Sequence, residues 1–173
     1  RELRGKTLGI MGFGRIGHRV GELGRAFKMN IVAYDPFLPD DVFKQQCATK
    51  ASIDELIKVA DFISIHVPLT PETKNLFNKK SIAEMKDGAV VLNMSRGGIV
   101  NEADMYEALK EGRIGGYAAD VMENELAGSG LTGNDTFASP LFECDNFIVS
   151  PHIGASKDIG VHIVAKVKEA LGL

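Results

Sequence analysis

Short apolar runs alternate along the chain with longer stretches in which apolar residues return every three or four positions. Residues 7 to 11 (Thr-Leu-Gly-Ile-Met) read as a strand, 15 to 27 as an amphipathic helix, and 31 to 34 (Ile-Val-Ala-Tyr) as a second strand closed by Asp35. That is a strand–helix–strand unit. The runs Phe62-Ile63-Ser64-Ile65, Ala89-Val90-Val91-Leu92, Tyr117-Ala118-Ala119 and Phe147-Ile148-Val149 predict four more strands, each short and bounded by polar or turn residues. The segments between them carry helix-start signals. Ser52 with Glu55, and Ser81 with Glu84, have capping-box spacing, Thr70-Pro71 sets a cap before a first-turn proline, and Asn101 can cap a helix through Met105 and Leu109. Gly112 and Gly115 then stop that helix ahead of the next strand. Sustained alternation of this kind predicts an α/β fold: a doubly wound parallel sheet with helices on both faces and ligands at the carboxyl ends of its strands.

At 173 residues with 45% hydrophobic content, the chain can bury a sizeable core, and residues 1–173 are expected to form one domain. Basic and acidic residues number 20 and 23 and are mixed along the sequence, for a net charge of −3, so no basic field points to nucleic acid. Cys47 and Cys144 stand far apart and in no metal-like spacing, which predicts reduced thiols, no metal and a cytoplasmic setting. No apolar run is long enough for a signal segment or a membrane span. The expected partner is a small molecule. The one long unpatterned stretch, 127 to 145, is rich in Gly, Ser, Thr and Asn and is expected to be a functional or interface loop.

Gly12, Gly14 and Gly17 follow a predicted strand and open a predicted helix, the context that a dinucleotide fingerprint requires. Gly12 permits a tight turn and Gly14 lets the backbone approach a pyrophosphate. Gly17 lets the helix pack on the strand while its first amides face phosphate. Asp35, 18 residues beyond Gly17, ends the second strand where a carboxylate can accept both hydroxyls of an adenosine ribose. No arginine stands beside it to receive a 2′-phosphate. NAD is the expected cofactor, rather than NADP.

Five blocks in order resemble the D-2-hydroxyacid dehydrogenase family, which includes phosphoglycerate, glycerate and D-lactate dehydrogenases. They are Gly5 to Ile10 leading into the glycine loop; His66-Val67-Pro68-Leu69-Thr70-Pro71-Glu72-Thr73; Asn93-Met94-Ser95-Arg96-Gly97-Gly98-Ile99-Val100; Gly116-Tyr117-Ala118-Ala119-Asp120-Val121; and Ser150-Pro151-His152-Ile153-Gly154. The resemblance implies a catalytic set of Arg96, Glu125 and His152. Glu123 lies two positions from Glu125, and the offset of five from Asp120 selects Glu125. The chemistry fits these residue types. An alcohol that loses hydride from carbon also loses a proton, and histidine titrates near neutrality. A carboxylate beside it would orient the ring and favour its protonated form. The arginine fork can clamp a carboxylate. The resemblance also implies cofactor contacts from Arg15, Ile16, Val67, Pro68, Met94, Ser95, Arg96, Asp120, His152, Gly154 and Ala155. Met94, Leu126 and Lys157 depart from the commonest family pattern.

The resemblance further implies a second, substrate-binding domain, which the 173 residues are expected to lack, so they are expected to bind NAD with little or no turnover. It favours 3-phosphoglycerate as substrate, with glyoxylate or hydroxypyruvate reduction as the enzyme alternative. Glu125 argues against a formate dehydrogenase, where glutamine is usual. A non-enzyme alternative is the NAD-sensing dimerisation module of related corepressors. A homodimer through the cofactor domain is expected, with the 127 to 145 loop as a plausible part of the contact. The chain is expected to end in an amphipathic helix from 159 to 171.

Overall fold

The structure, a computed structural model, describes residues 2–123, 139–150 and 152. Along them run β1 (Thr7–Met11), α1 (Arg15–Ala26), β2 (Asn30–Tyr34), α2 (Asp40–Gln45), β3 (Thr49–Lys50), α3 (Ile53–Val59), β4 (Phe62–Ile65), α4 (Lys79–Glu84), β5 (Ala89–Asn93), α5 (Glu102–Lys110) and β6 (Ile114–Ala119), then a 3-10 turn (Pro140–Glu143) and β7 (Phe147–Val149). The strands form one sheet in the order β3-β2-β1-β4-β5-β6-β7, and every adjacent pair is parallel. The chain winds outward from β1 to β3, then returns to β4 on the other side of β1. The doubly wound sheet expected from the sequence is thus observed. The crevice above β1 and β4 is its topological switch point.

Period-two alternation puts helices on both faces. Leu8 and Ile10 of β1 join Phe13, Met29, Ile31, Ala33 and Phe43 in one core cluster, and meet α1. That approach is close: a Cβ on Gly24 of α1 would lie 2.8 Å from both Ile31 and Leu8 side chains. Gly9 faces the other way, and a Cβ there would fall 2.6 Å from Leu56 of α3. On that second face Leu56, Ile57, Ile63, Ile65, Val91, Met105, Leu109 and Tyr117 build the larger core. On the α1 side of the sheet's second half, Phe62, Val90, Leu92 and Ala118 are only half-buried, and Ile148 of the edge strand is 71% exposed.

Several caps fall where expected. Ser52 and Glu55 form a reciprocal capping box at the start of α3, and the Asn101 side chain accepts from the Asp104 N–H at 3.0 Å. The second expected box is corrected. Asn78 is the N-cap of α4, accepting from Lys80 and Ser81, while Ser81 is the third helical residue and its Oγ accepts from the Asn78 N–H. An Asx side chain reaches two amides at once, and Ser81 then supplies the return bond, so Glu84 is left to pair with Lys58. Thr70-Pro71 opens a turn rather than a helix, with Thr70 and Thr73 hydroxyls exchanging bonds with each other's backbone N–H. Gly112, at φ +71°, ends the α5 segment, whereas Gly115 lies inside β6. Within the stretch 127 to 145, Ser139 caps the 3-10 turn; residues 127–138 and the expected helix from 159 to 171 lie outside the described residues. The two-residue β3 and the six-residue α2 carried no expectation, being too short for either periodicity to register.

Removing the Ser52 hydroxyl strips the cap from a seven-residue helix. Ser52→Ala is expected to lower the unfolding free energy by about 1 kcal/mol. Urea denaturation with an unchanged slope checks this; an unchanged midpoint would show that the box contributes nothing.

Candidate active site

Because the sheet is parallel, the residues that follow each strand collect at one edge. After β1 comes the glycine loop. Gly12 sits at φ +90°, a conformation open to glycine, and a Cβ there would lie 2.9 Å from the His66 carbonyl group after β4. Phe13 is fully buried beneath the loop, stacked on Phe43 at 5.3 Å and edge-on to His18 at 4.6 Å. A Cβ on Gly17 would strike the Gly12 carbonyl oxygen at 2.3 Å. These two glycines are demanded by the protein's own packing. Gly14 is different: it is exposed, has an ordinary extended backbone at φ −75°, and a Cβ on it would meet nothing within 4 Å among the described residues. Arg15 and Ile16 are exposed on the same turn.

Asp35, after β2, reaches back to the loop. Its Oδ2 accepts from the Phe13 N–H at 3.0 Å and its Oδ1 from the Phe37 N–H at 3.0 Å. A carboxylate has about four acceptor positions, so these bonds hold the group in place and leave capacity for two hydroxyls. After β4, Val67 is buried and Pro68 exposed. The Val67 carbonyl accepts from the Ser95 hydroxyl, which ties the β4 and β5 loops together.

Asn93, at the end of β5, is 1% exposed and organises the loop that follows. Its Nδ2 donates to the Arg96 carbonyl at 2.9 Å and its Oδ1 accepts from the Ser95 N–H at 3.2 Å. Met94 is 42% exposed on that loop. Arg96 is exposed and gives one guanidinium N–H to the Ser95 carbonyl at 2.7 Å. Asp120, after β6, is buried; its Oδ1 accepts from the Ser150 hydroxyl, after β7, at 2.5 Å. His152 is exposed. Its backbone stands at φ +50°, and its N–H donates to the Ser150 carbonyl at 3.0 Å. Few non-glycine residues adopt this region, and those that do cluster at functional positions.

The structure therefore brings Gly12, Gly14, Arg15, Ile16, Gly17, Asp35, Val67, Pro68, Met94, Ser95, Arg96, Asp120 and His152 to one edge of the sheet. Glu125, Gly154 and Ala155 lie outside the described residues. Asn93 and Ser150 were not among the sequence candidates. A polar residue ending an apolar run is a weak signal, and both act through neighbours that were identified. Among the described residues no group of three or more His, Cys, Asp or Glu side chains is arranged for a metal, and Cys47 and Cys144 are free thiols. A hollow of about 470 Å³ opens at the other end of the sheet, between Arg4, Lys6 and Lys86 and Glu2, Asp61 and Asp87. Its charges balance and it lies far from these loops.

Comparison with known proteins agrees with this geometry. Residues 1–154 match the family model described as "D-isomer specific 2-hydroxyacid dehydrogenase, NAD binding domain". The D-3-phosphoglycerate dehydrogenase of Methanocaldococcus jannaschii is 43% identical over 98% of this chain and 32% of its own length. The hydroxypyruvate reductase of Thermotoga maritima is 39% identical over 100% of this chain and 55% of its own. Among solved structures, a D-lactate dehydrogenase from Aquifex aeolicus complexed with NAD and lactic acid superposes with a TM-score of 0.81 at 36% identity, covering 99% of this chain and 54% of that one. The chain thus spans about a third to about half of these relatives. Among the described residues no helix is long and apolar enough to cross a membrane.

His66, at the switch point, offers a stability test. Its Nε2 bonds the Ser64 hydroxyl at 2.8 Å, and burial pushes its pKa down to about 4. The unfolded chain takes up this proton near pH 6.5, the folded chain only near 4. Between those values the unfolded state binds more protons, so stability falls as pH drops through the window. The full effect is roughly 3 kcal/mol. His66→Gln keeps a partner for Ser64 and removes the titration. Urea unfolding at pH 7 and pH 4.5 is expected to show a smaller acid loss in the variant than in the parent; equal losses would refute the assignment.

Proposed function

The chain belongs to the D-isomer-specific 2-hydroxyacid dehydrogenase family, and we propose that it is the NAD-binding half of an enzyme that moves hydride between the cofactor and a D-2-hydroxy acid. The observation that carries the reading is Gly14. No packing contact among the described residues requires glycine there, whereas a dinucleotide pyrophosphate lying on the loop does. The residues present fit NAD. The loop presents exposed backbone at the start of α1, where helix amides favour phosphate. The Asp35 carboxylate is held by Phe13 and Phe37 in a position to accept ribose hydroxyls and to repel a 2′-phosphate.

When bound, NAD supplies a hydride acceptor at its nicotinamide. The chain's own residues do the rest. Arg96, on a loop pinned by Asn93 and tied to Val67 through Ser95, clamps the carboxylate of the hydroxy acid with its planar fork. His152 takes the hydroxyl proton during oxidation and returns it during reduction. Glu125 orients the imidazole. Asp120, held by Ser150, offers an acceptor toward the carboxamide side of the cofactor. The groups that recognise the remainder of the substrate belong to a second domain that closes the cleft. D-3-phosphoglycerate is the first substrate reading, supported by the 43% identity to the M. jannaschii dehydrogenase; hydroxypyruvate reduction is the second, supported by the 39% identity to the T. maritima reductase. A cytoplasmic homodimer built through this domain completes the reading.

Two substitutions test it. Gly14→Ala is expected to raise the dissociation constant for NAD about tenfold or more, roughly 1.4 kcal/mol, while unfolding free energy moves by less than about 1 kcal/mol. Calorimetric titration beside thermal denaturation reads both, and unaltered NAD affinity would remove the basis of the proposal. In the protein with its substrate domain, His152→Asn is expected to lower kcat by roughly 10² to 10⁴. Steady-state oxidation of 3-phosphoglycerate and reduction of hydroxypyruvate measure this, and near-normal turnover would dismiss His152 as the proton carrier.

A further inference from the structure

Two loops at the site edge touch backbone to backbone. A Cβ on Gly97 would lie 2.0 Å from the Met122 carbonyl oxygen and 3.0 Å from the Glu123 Cα. Gly97 follows Arg96, and Glu123 stands two residues before Glu125 in the sequence. The contact therefore sets where the arginine loop lies relative to the segment leading to the glutamate. Such a contact has no side chain of its own to hold it.

Glu102 supplies the hold. It is the first residue of α5, and its Oε1 accepts from the Glu123 N–H at 2.5 Å, across 21 positions in the chain. An acid in the first turn of a helix is common because it complements the dipole, but such a residue ordinarily faces water. This one is half-buried and bonds a different loop. Burial raises its carboxyl above the ordinary range; the bond from Glu123 N–H opposes this, and the Glu123 carboxylate adds to it. The buried Tyr117 phenol of β6 lies near enough to be affected: burial raises its pKa, the Asn93 side chain opposes this, and the charges of Glu102 and Glu123 add to it. Asp104, also in the first turn, is directed elsewhere, accepting from the Lys79 N–H at 2.8 Å. Asn93 and Glu102 thus grip the same loop system from two sides, one at the Arg96 carbonyl and one at the Glu123 amide.

We propose that Glu102 is a positioning residue of the dehydrogenase reaction: its carboxylate holds the Met122–Glu123 backbone against Gly97 and so fixes the Arg96 loop relative to the approach to Glu125. This rests on the roles given above to Arg96 and Glu125. The bond needs only an acceptor, so the amide of Gln suffices where the methyl of Ala does not.

The experiment uses the protein with its substrate domain. Glu102→Ala is expected to lower kcat about tenfold or more while the dissociation constant for NAD stays within about twofold, because the glycine loop and Asp35 lie across the sheet edge. Glu102→Gln is expected to restore kcat to within about threefold of the parent. Hydrogen exchange reads the clamp without turnover: protection of the Glu123 amide is expected to drop about tenfold in the alanine variant and to return in the glutamine variant. Parental kcat together with parental protection in Glu102→Ala would overturn the proposal. So would NAD affinity falling in step with kcat, since that marks a general loss of structure. A parent protein that binds no NAD and oxidises no hydroxy acid would overturn the functional reading instead, and the exchange result would still decide whether Glu102 holds the loop.

Discussion

Parallel pairing of all the strands is the constraint from which the rest follows. A strand paired parallel to its neighbour cannot return by a tight turn, so the chain crosses over through a helix before the next strand begins. Each crossover starts at the same edge of the sheet, and each starting loop is free of ladder bonds at its tip. The tips after β1, β2, β4, β5, β6 and β7 carry the glycine loop, Asp35, His66 to Pro68, Met94 to Gly98, Asp120, and Ser150 with His152. Residues spread over most of the chain come together without any one loop having to be long. The reversal of winding between β1 and β4 opens a crevice at that edge, with Gly12 and the His66 carbonyl on its two sides.

Loops at a sheet edge need their own ties, and here the ties are polar and specific. Asp35 holds Phe13, Ser95 holds Val67, Asn93 holds Arg96 and Ser95, Ser150 holds Asp120, and Glu102 holds Glu123. Each contributes on the order of 1 kcal/mol net, too little to hold the fold, which rests on the apolar layers beneath. Their value is positional: displacement of a reacting group by about an ångström can lower a rate by orders of magnitude. Most join one loop to the next, so the edge behaves as a linked set of tips rather than as independent turns.

The long periodic elements were legible in the sequence because burial writes the pattern. Thr7 to Met11 alternates toward two different helices, and the α1 stripe meets the sheet through small residues. The candidate site was legible to the extent that a residue's type declares its chemistry. Glycines, Asp35, Arg96 and His152 have chemistry that the residue type declares. Asn93, Ser150 and Glu102 act on backbone groups, and their meaning depends on which carbonyl or amide the fold brings near. A glutamate at the start of a helix looks the same in sequence whether it faces water or reaches across 21 residues. The second capping box failed for a related reason. Ser81 and Glu84 have the right spacing, but Asn78 stands three residues earlier with a side chain that satisfies two amides, and spacing alone does not rank competing caps.

The three fingerprint glycines illustrate how fold and function divide within one motif. Gly12 is required by a left-handed turn pressed against His66, and Gly17 by the contact of helix with loop; replacing either would disturb the protein whether or not it bound anything. Gly14 has an ordinary backbone conformation and open space beside it. Packing among the described residues makes no demand for a missing side chain at that position, which leaves the demand open to a bound molecule. The same distinction applies to Gly97, whose missing side chain makes room for Met122 rather than for a ligand. A glycine that its own structure does not need is therefore stronger evidence of a binding surface than one that the turn requires. The environment of Gly14, more than the spacing of the motif, supports the proposed reading of the loop as a cradle for a dinucleotide.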